Sequence, residues 1–289
     1  MIPRKIYRLK VGERTLVLGE RTLLMGVLNV TPDSFSDGGK FFHTTDAVNA
    51  ALAMERAGAD ILDIGAESTR PGSEGISAAE ELARLLPVLR ALHGRLKISI
   101  SVDTQKASVA EMALGAGAEM VNDISGLQND PRVANVAADF AAPLILMHMR
   151  GTPRTMQKLP FSKDAIADVV RGLRKSIEIA RRAGVAKSRI ILDPGIGFGK
   201  NLGQNYELLA RLPELAKLGY PLLVGASRKG FLGVTLSQTG KPLPPQERIW
   251  GTAATVAASI LNGAHIVRVH DVGEMALVVR VTDAVVAAQ

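Results

Sequence analysis

Residues 120–147 read MVNDISGLQNDPRVANVAADFAAPLILM, and this stretch decides the fold class. Runs 120–124 and 143–147 are short and apolar, and helical periodicity fills the space between them. A strand without strict alternation, such as PLILM, suits a parallel sheet covered on both faces. Asp130-Pro131 predicts the helix start, as an N-cap followed by proline at the first helical position.

The same unit recurs on either side. Apolar runs at 23–28, 60–64, 98–102, 190–192, 221–224 and 265–269 each precede a helical segment. Ser77 with Glu80 predicts a capping box in one of them. Eight strand-then-helix units match a closed (β/α)8 TIM barrel better than an open doubly wound sheet with its glycine-rich first turn. Ahead of the first unit, 7–11 and 15–18 flank Gly12-Glu13-Arg14, so residues 1–20 are expected to form a hairpin capping the barrel bottom. No shift in composition divides the chain, and residues 1–289 read as a single domain.

Composition narrows the function. The chain has no cysteine, which excludes disulfides, thiolate zinc and a cysteine nucleophile. A net charge of +7 is scattered, with 4% aromatic residues and no basic block, which argues against nucleic acid and suits small anionic substrates. The N-terminus lacks the apolar run of a signal or membrane span, so no membrane role and a cytoplasmic location are expected.

In such a barrel the active site lies where the strands end. The residues there are Asn29, Asp63, Glu67, Thr69, Arg70, Asp103, Asn122, Asp123, His148, Asp193, Ser227, Arg228, Lys229, Arg268, His270 and Asp271. Any one could serve only to make a turn. Gathered in one mouth, they would bind a polar heterocycle together with an anion. Segments 29–45 and 66–77 are too long and too rich in Gly, Ser and Pro for simple turns, and read as binding loops. Gly195-Ile196-Gly197-Phe198-Gly199-Lys200 lacks Walker spacing, and its glycines instead suit close approach of backbone and Phe198 to a flat ligand. Met147 and Met149 read as packing, Trp250 as core, and His93 and His43 as surface residues.

Eight segments together carry a resemblance that covers nearly the whole chain. They are GVLNVTPDSFSDGG from Gly26, DIGAESTRPG from Asp63, SVDT from Ser101, NDISG from Asn122, MHMRGTP from Met147, LDPGIGFGK from Leu192, GASRKGFLG from Gly225 and RVHDV from Arg268. In this order they resemble the dihydropteroate synthase family. The resemblance implies condensation of a dihydropterin pyrophosphate with para-aminobenzoate, sulfonamide competition and a homodimer. It also implies a pterin site of Asp103, Asn122, Asp193, Phe198, Gly225 and Lys229. Asn29, Arg70, Arg268 and His270 would take the pyrophosphate, with Asn29 as ligand to Mg2+. Phe35, Thr69, Arg70, Pro71 and Gly230 would line the aminobenzoate pocket, and Asp37 would take part in loop closure. Asp103, Lys229, Arg268 and His270 would be the catalytic set.

The residue types fit that chemistry. One carboxylate can accept from the adjacent amino and ring N–H groups of a pterin, which suits Asp193. Cationic groups stabilise a departing pyrophosphate where its charge develops. Gly230 departs from the family pattern, in which many members carry a polar residue here, and leaves the backbone N–H at a helix start to hold the aminobenzoate carboxylate. Two alternatives remain open. One is a pterin-binding methyltransferase barrel, which needs neither long loop, and the other is a non-catalytic paralogue, which would be expected to lose strand-end residues.

Overall fold

The structure is a computed structural model that describes residues 4–31, 40–70, 72–158 and 161–288, with side chains described from residue 44 in the first helix. Strands β1 (Tyr7–Val11) and β2 (Arg14–Leu18) form an antiparallel hairpin. Eight parallel strands follow: β3 (Leu23–Asn29), β4 (Ile61–Gly65), β5 (Ser99–Asp103), β6 (Met120–Asp123), β7 (Leu144–Met147), β8 (Ile190–Asp193), β9 (Leu223–Val224) and β10 (Ile266–Val269). Their order is β8-β7-β6-β5-β4-β3-β10-β9. A parallel bridge from Leu192 to Leu222, with Leu192 N–H donating to Pro221 O at 3.0 Å, closes β8 against β9. The expected (β/α)8 barrel is therefore present, and each strand run lies within two residues of its sequence position.

Helices cover the outside, among them α1 (Lys40–Arg56), α2 (Ala78–Leu92), α3 (Ala107–Gly115), α4 (Val133–Asp139), α5 (Ala165–Arg182), α6 (Leu202–Ala210), α7 (Leu212–Ala216), α8 (Gly230–Leu236), α9 (Ile249–Leu261) and α10 (Val272–Ala287). Ser77 caps α2 as expected, accepting Glu80 N–H at 3.2 Å, while the Glu80 carboxylate pairs with Arg84 at 2.5 Å. Asp130 serves two helices. Helix α4 starts at Val133, later than expected, and the Asp130 carboxylate accepts from Arg132 N–H at 3.1 Å just ahead of it and from Ala107 N–H at 3.0 Å, so it also caps the neighbouring α3. Trp250 was expected in the core and is instead 78% exposed on α9, because the core-facing positions of that helix are taken by Gly251, Thr252, Thr255 and Val256. Met147 and Met149 are buried together, and His93 lies on the surface, as expected.

Side-chain parity divides the barrel. Outward residues such as Leu62, Ile64, Val102, Leu144, Leu146, Ile190 and Leu192 pack under the helices. Inward residues at the strand starts, Leu23, Met25, Ile61, Met120, Ile145, Ile191, Leu223 and Ile266, form a second apolar cluster with Leu9, Val11 and Leu18 of the hairpin. The hairpin thus plugs the N-terminal end, each large apolar side chain contributing about 1.5–3 kcal/mol by burial. His265 clamps the plug: Nδ1 accepts from Leu222 N–H at 3.1 Å, so Nε2–H donates to Lys5 O at 3.0 Å. Burial holds this imidazole neutral, with its pKa down to about 4.

Asp283 of α10 ties the N-terminal segment to the barrel, accepting from Thr22 N–H at 2.7 Å, Thr22 Oγ1 at 2.8 Å and Arg4 at 2.8 Å. Arg4 is nearly buried, so Asp283→Ala leaves it uncompensated and is expected to cost about 3 kcal/mol, the scale for breaking a buried pair. Urea denaturation checks this, and the site at the other end of the barrel should bind its ligands normally.

Candidate functional site at the barrel mouth

Further along each strand the inward positions turn polar. The residue two after Ile61 is Asp63, after Ser101 comes Asp103, after Met120 comes Asn122, after Ile191 comes Asp193 and after Ile266 comes Arg268. The pleat therefore aims all five into one mouth.

Arg268 joins them. Its Nε donates to Asp63 Oδ2 at 2.6 Å and its Nη2 to Asp103 Oδ2 at 2.8 Å. Asn122 Nδ2 donates to the same Asp63 oxygen at 2.9 Å. Asp63 is fully buried, and its Oδ1 has no partner among the described residues. Burial pushes the Asp103 carboxyl up to about 8, with Arg268 pulling down and Asp63 pushing up. Asp103 is thus poised to respond to a positive charge brought near it.

Asp193 is 5% exposed, and Oδ1 accepts from Gly195 N–H at 2.7 Å. Burial raises its pKa against the pull of Lys229, Lys200 and Arg268. Lys229 follows β9, and burial lowers its ammonium to about 8. Its Nζ donates to Ile196 O and stands 4.4 Å from the centre of the Phe198 ring. Phe198 packs on Ile124, Met147, Met149 and Met156, an apolar shelf beside the polar mouth. Gly195, Gly197 and Gly199 all have positive φ, and a Cβ at Gly195 would stand 2.0 Å from His148 O. These glycines fold the loop onto the backbone after β7, which lets Phe198 and Ile196 meet Lys229.

His270 Nδ1 lies 3.1 Å from Ser227 Oγ, and burial with nearby Arg268 and Arg228 lowers it to about 4. Gly225 faces Arg268, where a Cβ would stand 3.6 Å from the Arg268 Cβ. Gly230 opens α8, with open space where a side chain would go. Asn29 is the last residue of β3 and half-buried. On the 66–77 loop, Glu67 accepts from Ile76 N–H at 2.9 Å and pairs with Lys106 at 2.9 Å, which fixes the loop base; Thr69 is half-buried and Arg70 exposed. Phe35, Asp37 and Pro71 lie outside the described residues.

Four strand-end residues are separate from the mouth. Asp123 points outward and accepts from Ser125 and Leu127 N–H within its own turn, at 2.8 and 2.7 Å. Arg228, at φ 58°, pairs with Asp271. His148 packs with Lys200, a fully buried lysine that the sequence reading left without a role. Its only sequence signal is its place at the end of a triple-glycine loop.

An eight-stranded barrel whose mouth sets three carboxylates against buried cations defines an enzyme-type site for a small, polar, partly anionic ligand. Comparison with known proteins makes this specific. The pterin binding enzyme family matches residues 25–270. The dihydropteroate synthase of Synechocystis sp. is 51% identical over 273 residues, 94% of this chain and 91% of the relative. The solved Yersinia pestis dihydropteroate synthase with a sulfonamide drug complex superposes with a TM-score of 0.89 at 45% identity, covering 97% of this chain and 99% of that one. The Xanthomonas albilineans dihydropteroate synthase in complex with 7,8-dihydropteroate gives 0.86 at 40% identity, covering 97% and 99%. The chain belongs to the pterin-binding enzyme family, among its dihydropteroate synthases.

Asp63 organises this mouth without having been assigned a role. Asp63→Ala strips Arg268 of one carboxylate and Asn122 of its acceptor, and is expected to destabilise the fold by about 3–5 kcal/mol, as removal of one member of a buried ion pair does. Equilibrium unfolding measures it.

Proposed function

We propose that this chain condenses 6-hydroxymethyl-7,8-dihydropterin pyrophosphate with para-aminobenzoate, giving 7,8-dihydropteroate and pyrophosphate in folate biosynthesis. The observation that carries the reading is the pairing of a buried, singly bonded carboxylate, Asp193, with Lys229 over Phe198, beside the Asp103–Arg268–Asp63 cluster. A pterin lies flat between the Phe198 shelf and the polar wall. Its amino and ring N–H groups donate to Asp193, Lys229 donates to its carbonyl and ring nitrogen, and Asn122 and Asp103 bind the rest of its edge. Gly225 supplies close approach.

In the reaction the bond from the exocyclic methylene carbon to the pyrophosphate oxygen breaks, and its electron pair leaves with the pyrophosphate. The carbon cation is delocalised into the pterin, and the Asp103 carboxylate opposes its charge. The aminobenzoate nitrogen then forms the new C–N bond and releases a proton. A neutral aromatic amine is already nucleophilic, so this step needs no strong base. Arg268, His270 and Arg70 bind the leaving pyrophosphate. Burial, with Arg268 and Arg228 nearby, keeps His270 neutral in the free site, and an anion bound beside it favours its protonated form. Phe35, Thr69, Arg70 and Pro71, with the Gly230 N–H, hold the aminobenzoate, and Asp37 serves loop closure.

Mg2+ fits as the cofactor only as an ion held mostly by substrate and water. Among the described residues no three His, Cys, Asp or Glu side chains gather into a metal site, and Asn29 offers one hard oxygen ligand at the end of β3. When bound, Mg2+ supplies positive charge against the pyrophosphate oxygens. A homodimer is also part of this proposal: Leu277, Val281 and Val285 form an exposed apolar stripe on α10, and Trp250 is exposed on the adjacent α9. No helix among the described residues is long and apolar enough to cross a membrane, and we place the enzyme in the cytoplasm.

The direct test is pyrophosphate release from the two substrates, competed by a sulfonamide. A methyltransferase or a non-catalytic paralogue releases none. Asp193→Asn replaces a charged acceptor and should weaken pterin binding by about 1.5–3 kcal/mol, the scale for hydrogen bonds to charged groups; calorimetry with 6-hydroxymethylpterin checks it. His270→Ala should depress kcat while leaving affinity for that pyrophosphate-free pterin within about twofold, because its interaction belongs to the leaving group. Equal losses in both would remove His270 from this role.

A further inference from the structure

The Gly195–Lys200 loop ends in a lysine that the reaction above does not use. Lys200 is buried at 5% exposure, and its Nζ lies 2.9 Å from His148 O, 2.8 Å from Gly195 O and 3.0 Å from His148 Nδ1. Among the described residues no carboxylate is within hydrogen-bond distance of it. A buried ammonium held by neutral acceptors is expensive. Two carboxylates act on its charge, Asp193 and Asp168 of α5, and Asp193 is linked to it through Gly195, whose N–H bonds the Asp193 carboxylate and whose carbonyl bonds Lys200.

We propose that Lys200 is a positioning residue that pins the glycine loop to the strand-β7 exit and, through its positive charge, keeps Asp193 ionised for the pterin edge. This inference rests on the assignment of Asp193 to the pterin. The charged groups facing Asp193 are Lys229 from the segment after β9, Arg268 from β10 and Lys200 from its own loop, all three favouring the carboxylate against a burial that raises its pKa. The division of labour among them follows from their own titration. Burial lowers Lys200 to about 7, so it is charged on the acid side of neutrality, where its charge opposes the burial that raises Asp193. That help fades on the alkaline side as Lys200 loses its proton. Loss of the charge therefore moves the acid limb of pterin binding to higher pH and leaves the alkaline limb in place.

Lys200→Gln isolates this effect, since its amide can still donate to both carbonyls while carrying no charge. The measurement is the dissociation constant of 6-hydroxymethylpterin by calorimetry from pH 5.5 to 9, for the native enzyme and the variant. Titration of the pterin itself is common to both and cancels. The variant should bind about tenfold more weakly near pH 6, corresponding to a carboxylate shift of about one unit, and within about twofold of native near pH 8.5. Superimposed profiles would overturn the proposal. So would a weakening equal at every pH, which is what a merely structural tether gives. If Lys200→Gln does not fold, Lys200→Met of similar length carries the same measurement, and failure of both to fold assigns Lys200 to stability and overturns the positioning role. Asp193→Asn run alongside separates the two readings. Should it bind pterin normally, the pterin assignment of Asp193 falls; should it bind poorly while Lys200→Gln matches native, the Lys200 inference falls alone.

Discussion

A guanidinium inserted between two buried carboxylates holds the barrel mouth together. Arg268 comes from β10, Asp63 from β4 and Asp103 from β5, with β3 lying between the arginine and its partners. Strand β10 is thus bound across the interior to the adjacent pair β4 and β5, above an apolar layer that could not satisfy any of the three side chains. Without the arginine, two carboxylates and the Asn122 amide would compete for one dry space. The planar fork of Arg suits this bridge, since it can donate in two directions from one fixed plane.

Much of this was legible in the sequence, because period and position carry it. Strand-then-helix repetition fixed the closed barrel, and residues 7–18 read as the plug that the apolar strand starts require. The residues of the mouth were legible as strand-end polar groups. Parity could have refined that reading: in the run 120–123 only Asn122 shares a face with Met120, so Asp123 had to point away and make a turn.

What stayed hidden depends on tertiary contact. Asp130 has the sequence of an N-cap, and its Oδ1 accepts from Arg132 N–H at 3.1 Å ahead of α4, yet its Oδ2 also reaches Ala107 N–H of α3, a neighbour that no local pattern records. Trp250 reads as core by size, whereas the α9 face toward the barrel is lined by Gly251, Thr252 and Thr255, which leave no room for an indole. Lys200 was silent because its three partners belong to residues 195 and 148, and the latter meets it only when the chain folds. Lysine is rarely buried, so sequence reasoning assigns it to the surface by default.

The balance of charge in the mouth explains why these hidden contacts matter. Asp63, Asp103 and Asp193 oppose Arg268, Lys229 and Lys200, three against three, and burial penalises the charge of Asp103, Asp193, Arg268, Lys229 and Lys200. Such a site is close to neutral as a whole but strongly polarised within, with Asp193 at one side and Arg268 beside His270 at another. A neutral ligand with only donors would leave the cations unused, and a bare anion would leave Asp193 without its donors. A pterin pyrophosphate satisfies both, and its departure as two fragments reverses the balance at each end. In the reaction proposed above, the pterin cation then faces Asp103 while the anion faces Arg268 and His270. Charge separation in the reaction therefore follows a polarity already present in the folded barrel, which is how a preorganised site lowers a barrier without reorganising during the step.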